Sequence, residues 1–501
     1  MTIRAAYVRL PRMRHPCLAC AVLFVVGCSG GKSSSAPPEP DGGDDGGATS
    51  LDYTPASCHY TYSPPSVLGY TNLALDDDGA VDPTAGAPQR VRVGLGGATT
   101  FGQPGYADPT TSAAFTWETA QQNNAAKVQM GTSATALSQV FTGYSWTLVP
   151  VLGTQDTYFH EVHVCGLMPD TTYYYQVGGG PSGSEVWSAT QTFTTMPATI
   201  PSSGITVGVF GDARDKDTTW TAVHSRMKTA GVLMSLVDGD VVDIGAEESL
   251  YAQWLGDIWQ SPAGSSSFLT LGQQYILPVN GNHENDTATS FANWAMPGTG
   301  DYAETYSSFT VGSVHFTMVD DEQIAVATSS TEAQAQLAWL DQDLSAANGD
   351  RANHPFVVVM SHRGLFSTSL HSTDSDVIAA RKALAPLFDK YKVDLVINGH
   401  DHEYERSTPL TMDPSTGNPV VQPAGMGTTY VICAGAGADP YSVGTAAVPY
   451  RVTNTPFGTS ANSYIGTYAL LNIQATQLTL TAYGLLAMAP DTVIDTVTLT
   501  H

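Results

Sequence analysis

Five short segments of the chain place carboxylate, amide or imidazole groups directly after a run of hydrophobic residues. They are Gly211-Asp212-Ala213-Arg214, Gly239-Asp240-Val241-Val242-Asp243, Gly281-Asn282-His283-Glu284, Met360-Ser361-His362-Arg363 and Gly399-His400-Asp401-His402. Oxygen atoms of Asp and Asn, together with imidazole nitrogens, form a ligand set that suits Fe, Mn or Zn. Each segment alone is an ordinary turn, but five of them in one chain predict a metal site.

The five segments follow predicted strands that alternate with helices. Hydrophobic runs predict strands at 205–210, 233–237, 275–279, 306–310, 314–319, 356–360 and 395–397. Helical periodicity predicts helices at 218–230 and 249–259, a third that begins at the capping box Ser329-x-x-Glu332, and a fourth before the last of these strands. This alternation predicts a layered α/β fold, in which ligands bind at the carboxyl ends of strands. We therefore expect the five segments at the same end of the predicted sheet.

The part of the chain before residue 198 has a different pattern. From Cys58 to Met196, short β-rich runs are broken by Gly, Pro and Asn, without helical periodicity. The stretch from Leu167 to Tyr173 resembles the L-x-P-x-T-x-Y signature of a fibronectin type III sandwich, in which the tyrosine hydroxyl bonds to nearby backbone. A tyrosine-rich edge strand is the alternative interpretation.

Taken in order, the five segments resemble the D-x-[HG], GDxx[DY], GNH[DE], single-His and GHxH motifs of calcineurin-like metallophosphoesterases. The purple acid phosphatase branch, which carries an amino-terminal fibronectin-like domain, is the most similar, because 400–407 resembles its GHxHxYER and 336–340 its Q-x-x-W-L. The resemblance extends from about Gln89 to the carboxyl terminus and includes final strands predicted at 468–478 and 495–499. It implies a four-layer α/β/β/α metallophosphoesterase sandwich preceded by an all-β, fibronectin type III-like sandwich.

The resemblance also implies roles for individual residues. Asp240 would bridge two metal ions (Fe, Zn or Mn); Asp212 and His402 would bind the first ion, and Asn282, His362 and His400 the second. Two such ions lower the pKa of a shared water, so that hydroxide bound to the metal attacks phosphorus. His283 matches a substrate-contacting histidine. His371 matches a histidine beside the leaving group, where imidazole is a suitable proton donor; a loop histidine without that role is the alternative.

Two residues depart from the family motifs. Asp243 stands where purple acid phosphatases have a metal-binding tyrosine, and it either supplies an oxygen ligand or caps a turn. Arg214 stands where other metallophosphoesterases have a histidine, and a guanidinium has no lone pair for a metal. Arg214 either clamps the substrate phosphate through two N–H groups, as a catalytic residue, or neutralises the nearby acids.

The first residues have the pattern of an export signal. Arginines at 4, 9, 12 and 14 precede the hydrophobic run 17–26, which is too short to span a membrane. Val25-Val26-Gly27-Cys28 resembles a bacterial lipobox, in which the cysteine is acylated. We expect a lipoprotein-type signal at 1–27 and a lipid anchor on Cys28 that holds the protein in the bacterial cell envelope; a simple cleaved signal and secretion are the alternative.

The remaining domain boundaries follow from composition. A flexible tether is predicted at 28–57, the sandwich domain at 58–198 and the catalytic domain at 204–501. Beyond Cys28, the chain has Cys58, Cys165 and Cys433. An oxidising compartment makes a Cys58–Cys165 disulfide reasonable, whereas Cys433 lies in a hydrophobic stretch and is predicted to be a buried thiol.

Charge and composition exclude several classes of protein. Hydrophobic residues make up 42% and charged residues 13% of the 501 residues, which excludes a disordered chain. The formal charge is −26 and no Lys/Arg-rich block is present, so a nucleic-acid-binding patch is not expected. Among the histidines outside the five segments, six are predicted to be structural or superficial: His59, His160, His163, His224, His315 and His354.

The sequence thus predicts an exported, binuclear metal-dependent hydrolase of phosphate esters. A phosphodiesterase or nucleotide hydrolase is the alternative within the enzymes. A weakly active surface binding protein that retains a metal site is the alternative outside them. The substrate, the metal pair and the oligomeric state are left open by the sequence.

Overall fold

The computed structural model describes residues 51–64, 71–77, 86–149, 151–152, 155–214, 217–259, 272–298, 304–441, 443, 446–455, 464–487 and 490–501. The predicted signal, Cys28 and most of the predicted tether lie outside these residues. Residues 48–501 group into one unit. No helix among the described residues is long and apolar enough to cross a membrane.

Most of the described elements are strands. In chain order they are Thr71–Leu75 (β1), Gln89–Gly94 (β2), Ser112–Thr119 (β3), Lys127–Gly131 (β4), Gln139–Thr142 (β5), Tyr144–Leu148 (β6), Thr157–Cys165 (β7), Thr172–Gly179 (β8), Val186–Trp187 (β9), Gln191–Thr194 (β10), Ile205–Phe210 (β11), Met234–Val237 (β12), Tyr275–Pro278 (β13), Ser307–Val311 (β14), Val314–Met318 (β15), Phe356–Met360 (β16), Leu395–Asn398 (β17), Tyr404–Ser407 (β18), Leu410–Met412 (β19), Pro419–Val421 (β20), Thr429–Cys433 (β21), Arg451–Thr455 (β22), Tyr464–Ile473 (β23), Gln477–Leu486 (β24) and Thr492–Thr500 (β25). The helices are Asp217–Thr229 (α1), Glu248–Trp259 (α2), Ala288–Ala292 (α3), Asp321–Ala327 (α4), Thr331–Gly349 (α5) and Ser375–Tyr391 (α6).

Two sheets carry the strands that precede the five segments. One has the order β1-β6-β7-β3-β2-β13-β12-β11-β23-β24-β25, and the other has the order β14-β15-β16-β17-β21-β18-β22. Strands β11, β12 and β13 are parallel in the first sheet, and β15, β16, β17 and β21 are parallel in the second. The five segments therefore come from two sheets. The alternating pattern alone had suggested a single sheet.

The alternation of side chains along β16 shows how these sheets are layered. Val358 and Met360 belong to the large core that also contains Val207 of β11, whereas Val357 and Val359 pack in the cluster formed with helices α5 and α6. Both faces of β16 are buried, which is why its sequence is hydrophobic throughout.

The outer face of the first sheet is covered by α1 and α2. A Cβ on Gly208 of β11 would lie 2.5 Å from Met227 Sδ of α1, so helix and strand approach closely here. Trp220 of α1 stacks on Trp254 of α2 with ring centroids 4.3 Å apart. The predicted fold class, an α/β/β/α sandwich preceded by an all-β domain, is confirmed.

The amino-terminal strands are joined to the first of these sheets. Val93 of β2 pairs with Tyr275 of β13, so the sheet continues from one predicted domain into the other. A further sheet, β10-β8-β4-β5, faces it in the amino-terminal part. The backbone N–H of Met168 donates to the Tyr173 hydroxyl at 2.9 Å, which is the contact expected of the signature tyrosine.

The predictions for Cys58, Cys165 and Cys433 are confirmed. Cys58 forms a disulfide with Cys165, and Cys433 is a free, buried thiol. The disulfide fastens the segment 51–64 to the end of β7.

Two local predictions were wrong. The single strand expected at 468–478 is part of a hairpin, β23 and β24, whose turn at 474–476 has no Gly, Pro or Asn to indicate it. Helix α5 begins after Ser330, and not Ser329, because the Ser330 side chain accepts the N–H of Ala333.

Candidate metal centre

The turns that follow the strands adopt an unusual backbone conformation. Asp212 after β11, Asp240 after β12 and His400 after β17 have φ values of +53°, +52° and +71°. Left-handed conformations are costly for residues other than glycine and persist only where the surrounding structure holds them. Here the Asp212 N–H donates to the carbonyl of Gly239 at 2.9 Å, and the Arg214 N–H donates to that of Asp240 at 3.3 Å.

The residues predicted for the second metal ion bring their donor atoms together. Asn282 Oδ1 lies 3.1 Å from His362 Nε2 and 2.7 Å from His400 Nδ1, and His362 Nε2 lies 3.4 Å from Asp240 Oδ1. Ligand atoms that share one tetrahedral ion at about 2.1 Å lie about 3.4 Å apart, so these separations fit a metal ion. His362 Nδ1 contacts the carbonyl of Asp238 at 2.7 Å, which leaves Nε2 as the ligand atom.

Charges within this set act on the two imidazoles in opposite directions. Burial lowers the pKa of His362, but Asp240 and Asp212 outweigh burial and raise that pKa to about 10. Burial and the neighbouring His362 lower the pKa of His400 well below its usual range. A cation between the two rings would take over the role of the proton on His362.

The residues predicted for the first metal ion are also close together. His402 Nε2 lies 3.3 Å from Asp212 Oδ1, and His402 Nδ1 contacts the carbonyl of Asp439 at 2.6 Å. Asp212, Asp240 and His362 each place a ligand atom within 4.8 Å of the other two. Burial raises the pKa of Asp212, but the hydrogen bond and the charge of His402 outweigh it, so this pKa lies below its usual range.

Arg214 and Asp243 meet at the edge of the first set. Arg214 Nη1 lies 2.7 Å from Asp243 Oδ1, Nη2 lies 3.5 Å from His402 Nε2 and Nε lies 3.8 Å from Asp240 Oδ2. The Arg214 side chain is 11% exposed and that of Asp243 is 52% exposed. The Asp243 carboxylate is thus an ion-pair partner of Arg214, and this pairing engages one arm of the guanidinium fork.

The two predicted substrate-contacting histidines lie beside the two sets. The His283 N–H donates to Asp240 Oδ1 at 3.0 Å, and His283 Nδ1 contacts the Asp243 carbonyl at 2.7 Å. The His371 ring lies 4.4 Å from the His400 ring, and its Nδ1 contacts Asp374 at 2.8 Å. All nine predicted site residues are therefore brought into one region; their roles stay predictions.

Three residues of this region were missed in the sequence. Glu284 accepts the N–H groups of Asp240 at 2.7 Å, Val241 at 2.9 Å and Gly281 at 2.8 Å, and it thereby ties two ligand-bearing turns together. Its place after Gly-Asn-His was a usable signal. Burial, with the charge of Asp240 second, raises its pKa to about 7.

The other two missed residues are Asp238 and Tyr441. Among the described residues, neither carboxylate oxygen of the buried Asp238 has a hydrogen-bond partner, and burial together with the charge of Asp212 raises its pKa well above the usual value. Tyr441 stacks on His402 with ring centroids 4.0 Å apart. Its position 39 residues after His402 along the chain offered no signal.

The residues present fit a metal at the second set, because four oxygen and nitrogen donors converge there without an intervening cation. The first set combines the same donor types with a guanidinium contact, so it fits a metal less well.

The six histidines predicted to lie outside the site do so. His160 stacks on Trp117, His163 contacts Glu161 and Tyr60, and His315 contacts Asp343.

Comparisons with known proteins agree with this fold. Residues 104–195 match the family described as purple acid phosphatase, N-terminal domain, and residues 205–404 match the calcineurin-like phosphoesterase family. A purple acid phosphatase from yellow lupin (Lupinus luteus) seeds superposes with a TM-score of 0.64 at 17% identity, over 83% of this chain and 74% of that one. This likeness supports the fold alone.

Curated relatives match over part of their length. Purple acid phosphatase 22 of Arabidopsis thaliana is 30% identical over 260 residues, which are 49% of this chain and 53% of that protein. An uncharacterised protein of Mycobacterium tuberculosis is 24% identical over 60% of each chain. The chain thus spans about half to three-fifths of these relatives. The chain therefore contains a domain that matches the purple acid phosphatase N-terminal family, followed by one that matches the calcineurin-like phosphoesterase family.

Proposed function

We propose that the protein hydrolyses phosphate esters with the help of metal held among the strand-end residues. The observation that carries this proposal is the row of close donor atoms from His400 Nδ1 through Asn282 Oδ1 and His362 Nε2 to Asp240 Oδ1, next to the cluster of Asp212, Asp240 and His362. When bound, a metal ion at such a site polarises a phosphoryl oxygen and lowers the pKa of a coordinated water. The resemblance to the family motifs implies two ions, and metal analysis of the purified protein counts them.

The chain's own residues have separate tasks around that ion. His283 is held by its backbone N–H and by Nδ1, so its Nε2, which lies 3.8 Å from Asp240 Oδ2, is placed to contact a phosphoryl oxygen. Asp374 orients the ring of His371 through Nδ1 and leaves Nε2 to donate a proton to the leaving group. The ring of Tyr441 stacks on His402, and its centroid lies 5.3 Å from that of the His371 ring, so Tyr441 packs against both histidines.

Turnover of a generic aryl phosphomonoester and the corresponding diester tests the function. Hydrolysis should be lost after dialysis against a chelator and return on addition of Mn²⁺, Zn²⁺ or Fe²⁺. The ratio of the two rates distinguishes a phosphatase from a phosphodiesterase. A fully metal-loaded protein that turns over neither ester would contradict the proposal and favour a binding protein that retains a metal site.

We also propose that the protein is exported and anchored by a lipid on Cys28, and that residues 58–198 act as a fibronectin type III-like domain beside the catalytic one. The arginines, the hydrophobic run and Cys28 support export. Cys28→Ala should release the protein from the membrane fraction. An unchanged membrane fraction would contradict the anchor.

A further inference from the structure

A positively charged side chain occupies the edge of the ligand set expected for the first metal ion. Arg214 Nη2 lies 3.5 Å from His402 Nε2, and Arg214 Nε lies 3.8 Å from Asp240 Oδ2. Both of those atoms are ligand atoms in the expected first site. Arg214 Nη1 lies 2.7 Å from Asp243 Oδ1, and Asp243 occupies the position where the family motif has its metal-binding tyrosine. The guanidinium therefore contacts the groups that a first metal ion would need.

The backbone keeps Arg214 in this position. Its N–H donates to the carbonyl of Asp240, and the N–H of Ala438 donates to that of Asp212 at 2.8 Å. A Cβ on Gly437 would lie 2.3 Å from the carbonyl oxygen of Ala213, so the loop after β21 presses on the turn that carries Arg214. With a side chain 11% exposed, the guanidinium is held against the site and not in solvent.

The guanidinium of Arg214 and a first metal ion would occupy the same place, so the two exclude each other. A guanidinium stays protonated, has no lone pair for a metal and repels a nearby divalent cation. Like a metal ion, the guanidinium neutralises nearby carboxylates and so stabilises the folded site. His402 Nε2 lies 3.3 Å from Asp212 Oδ1 and 3.5 Å from Arg214 Nη2, so the guanidinium lies against the edge of this carboxylate–imidazole pair.

The second set has different surroundings. The amide oxygen of Asn282 lies between the imidazoles of His362 and His400, at 3.1 Å and 2.7 Å. The Asp240 carboxylate lies beside these groups, and the set contains no guanidinium that would compete with a metal ion.

We propose that this chain binds one divalent metal ion, at Asp240, Asn282, His362 and His400, and that the guanidinium of Arg214 is the built-in cation of the neighbouring set. The inference rests on the proposed function for its metal site. It departs from the two-ion expectation because of Arg214, which stands where the family motif has a different residue.

The number of metal ions per chain tests the inference without any turnover. Mn²⁺ is counted by mass spectrometry after equilibrium dialysis, and electron paramagnetic resonance distinguishes an isolated ion from an exchange-coupled pair. The wild type should hold one isolated ion per chain. Arg214→His, which supplies an imidazole, should hold two coupled ions. Arg226→Gln is the control, because Arg226 lies on α1 and pairs with Asp491; this variant should still hold one ion per chain.

Arg214→Gln covers the case in which the histidine variant does not fold. It removes the charge at similar length, and it should bind a second ion at least tenfold more tightly than the wild type does. A wild-type protein with two coupled ions would overturn the inference, and so would two folded Arg214 variants that still hold one ion.

The metal count and the turnover can fail separately. One ion per chain without hydrolysis of any ester would refute the proposed function and leave the inference standing. Hydrolysis by a wild-type protein with two coupled ions would support the proposed function and refute the inference of a single ion.

Discussion

At the scale of single residues, the site separates side chains that hold a ligand from side chains that hold other residues. His362 belongs to the first kind, because its Nε2 faces Asn282 and Asp240 while its Nδ1 is engaged by a carbonyl. Glu284 belongs to the second kind, because its carboxylate faces backbone N–H groups.

His362→Ala should abolish turnover and metal binding while the protein stays folded. The change removes one of the ligand atoms expected for the second metal ion, and no neighbouring side chain takes its place. Metal content and kcat measured on the same preparation check the result, with His354→Ala as control, since His354 contacts Asp350 away from the site. Full loading with unchanged kcat would show that His362 is not a ligand.

Glu284→Gln should weaken metal affinity by about 10- to 100-fold, the usual effect of removing a partner that orients ligands. A glutamine has only one acceptor oxygen. Its NH₂ group would face backbone N–H groups that now donate to the second carboxylate oxygen, so those hydrogen bonds would be lost. Isothermal titration with Zn²⁺ measures the affinity, and Glu332→Gln on the exposed side of α5 is the matched control. Equal affinities in both variants would show that Glu284 does not position the ligands.

At the scale of elements, the disulfide joins a segment without regular structure to a strand. The segment 51–64 packs on β6 and β7 through Tyr62, Tyr144 and Trp146. The Tyr62 hydroxyl donates to Glu304 at 2.6 Å, and that of Tyr144 donates to Glu161 at 2.7 Å. The Tyr62–Glu304 hydrogen bond joins residues 242 apart in the chain, so packing, hydrogen bonds and the disulfide all fasten this segment.

Cys58→Ser with Cys165→Ser should destabilise the protein by about 2–4 kcal/mol, because the unfolded chain loses a cross-link between residues 107 apart. Thermal unfolding measures the loss, and limited proteolysis should show cleavage within 51–64 before the rest of the chain. Cys433→Ala is the control for removal of a cysteine outside the disulfide. Identical unfolding of the double variant and the wild type would mean that the packing alone holds the segment.

At the scale of the whole molecule, buried titratable groups set how stability depends on pH. Burial lowers the pKa of His160 to about 3, whereas an unfolded histidine titrates near 6.5. Between these values the unfolded chain binds a proton that the folded chain does not. The contribution of His160 to stability is therefore complete above about pH 6.5 and is lost as the pH falls toward 3.

His160→Gln should flatten this dependence. The wild type should lose up to about 1.4 kcal/mol per pH unit more than the variant between pH 6 and 4. Glutamine keeps a polar group near Thr119, which His160 Nε2 contacts at 2.9 Å. Urea unfolding of both proteins across this range gives the slopes. Parallel curves would show that His160 is protonated in the folded protein.

Much of the fold could be predicted because hydrophobic periodicity is a local signal. Runs such as Phe356–Met360 are buried on both faces, and only a central strand needs that pattern. Eight of the nine candidate site residues lie in segments that follow predicted strands, whereas His371 was predicted from the family resemblance alone. The hairpin turn at 474–476 lacked such a signal, and its position was missed.

Contacts between distant segments were beyond the sequence, because they depend on how two sheets pack. Nothing near Tyr441 along the chain indicates that it stacks on His402, and nothing near Arg214 indicates an ion pair with Asp243. The layered α/β class, the donor types of the candidate site and the expected pairing of Cys58 with Cys165 could all be inferred from local patterns in the chain. The distances between donor atoms could not, because side chains from separate strands meet only when the two sheets pack against each other.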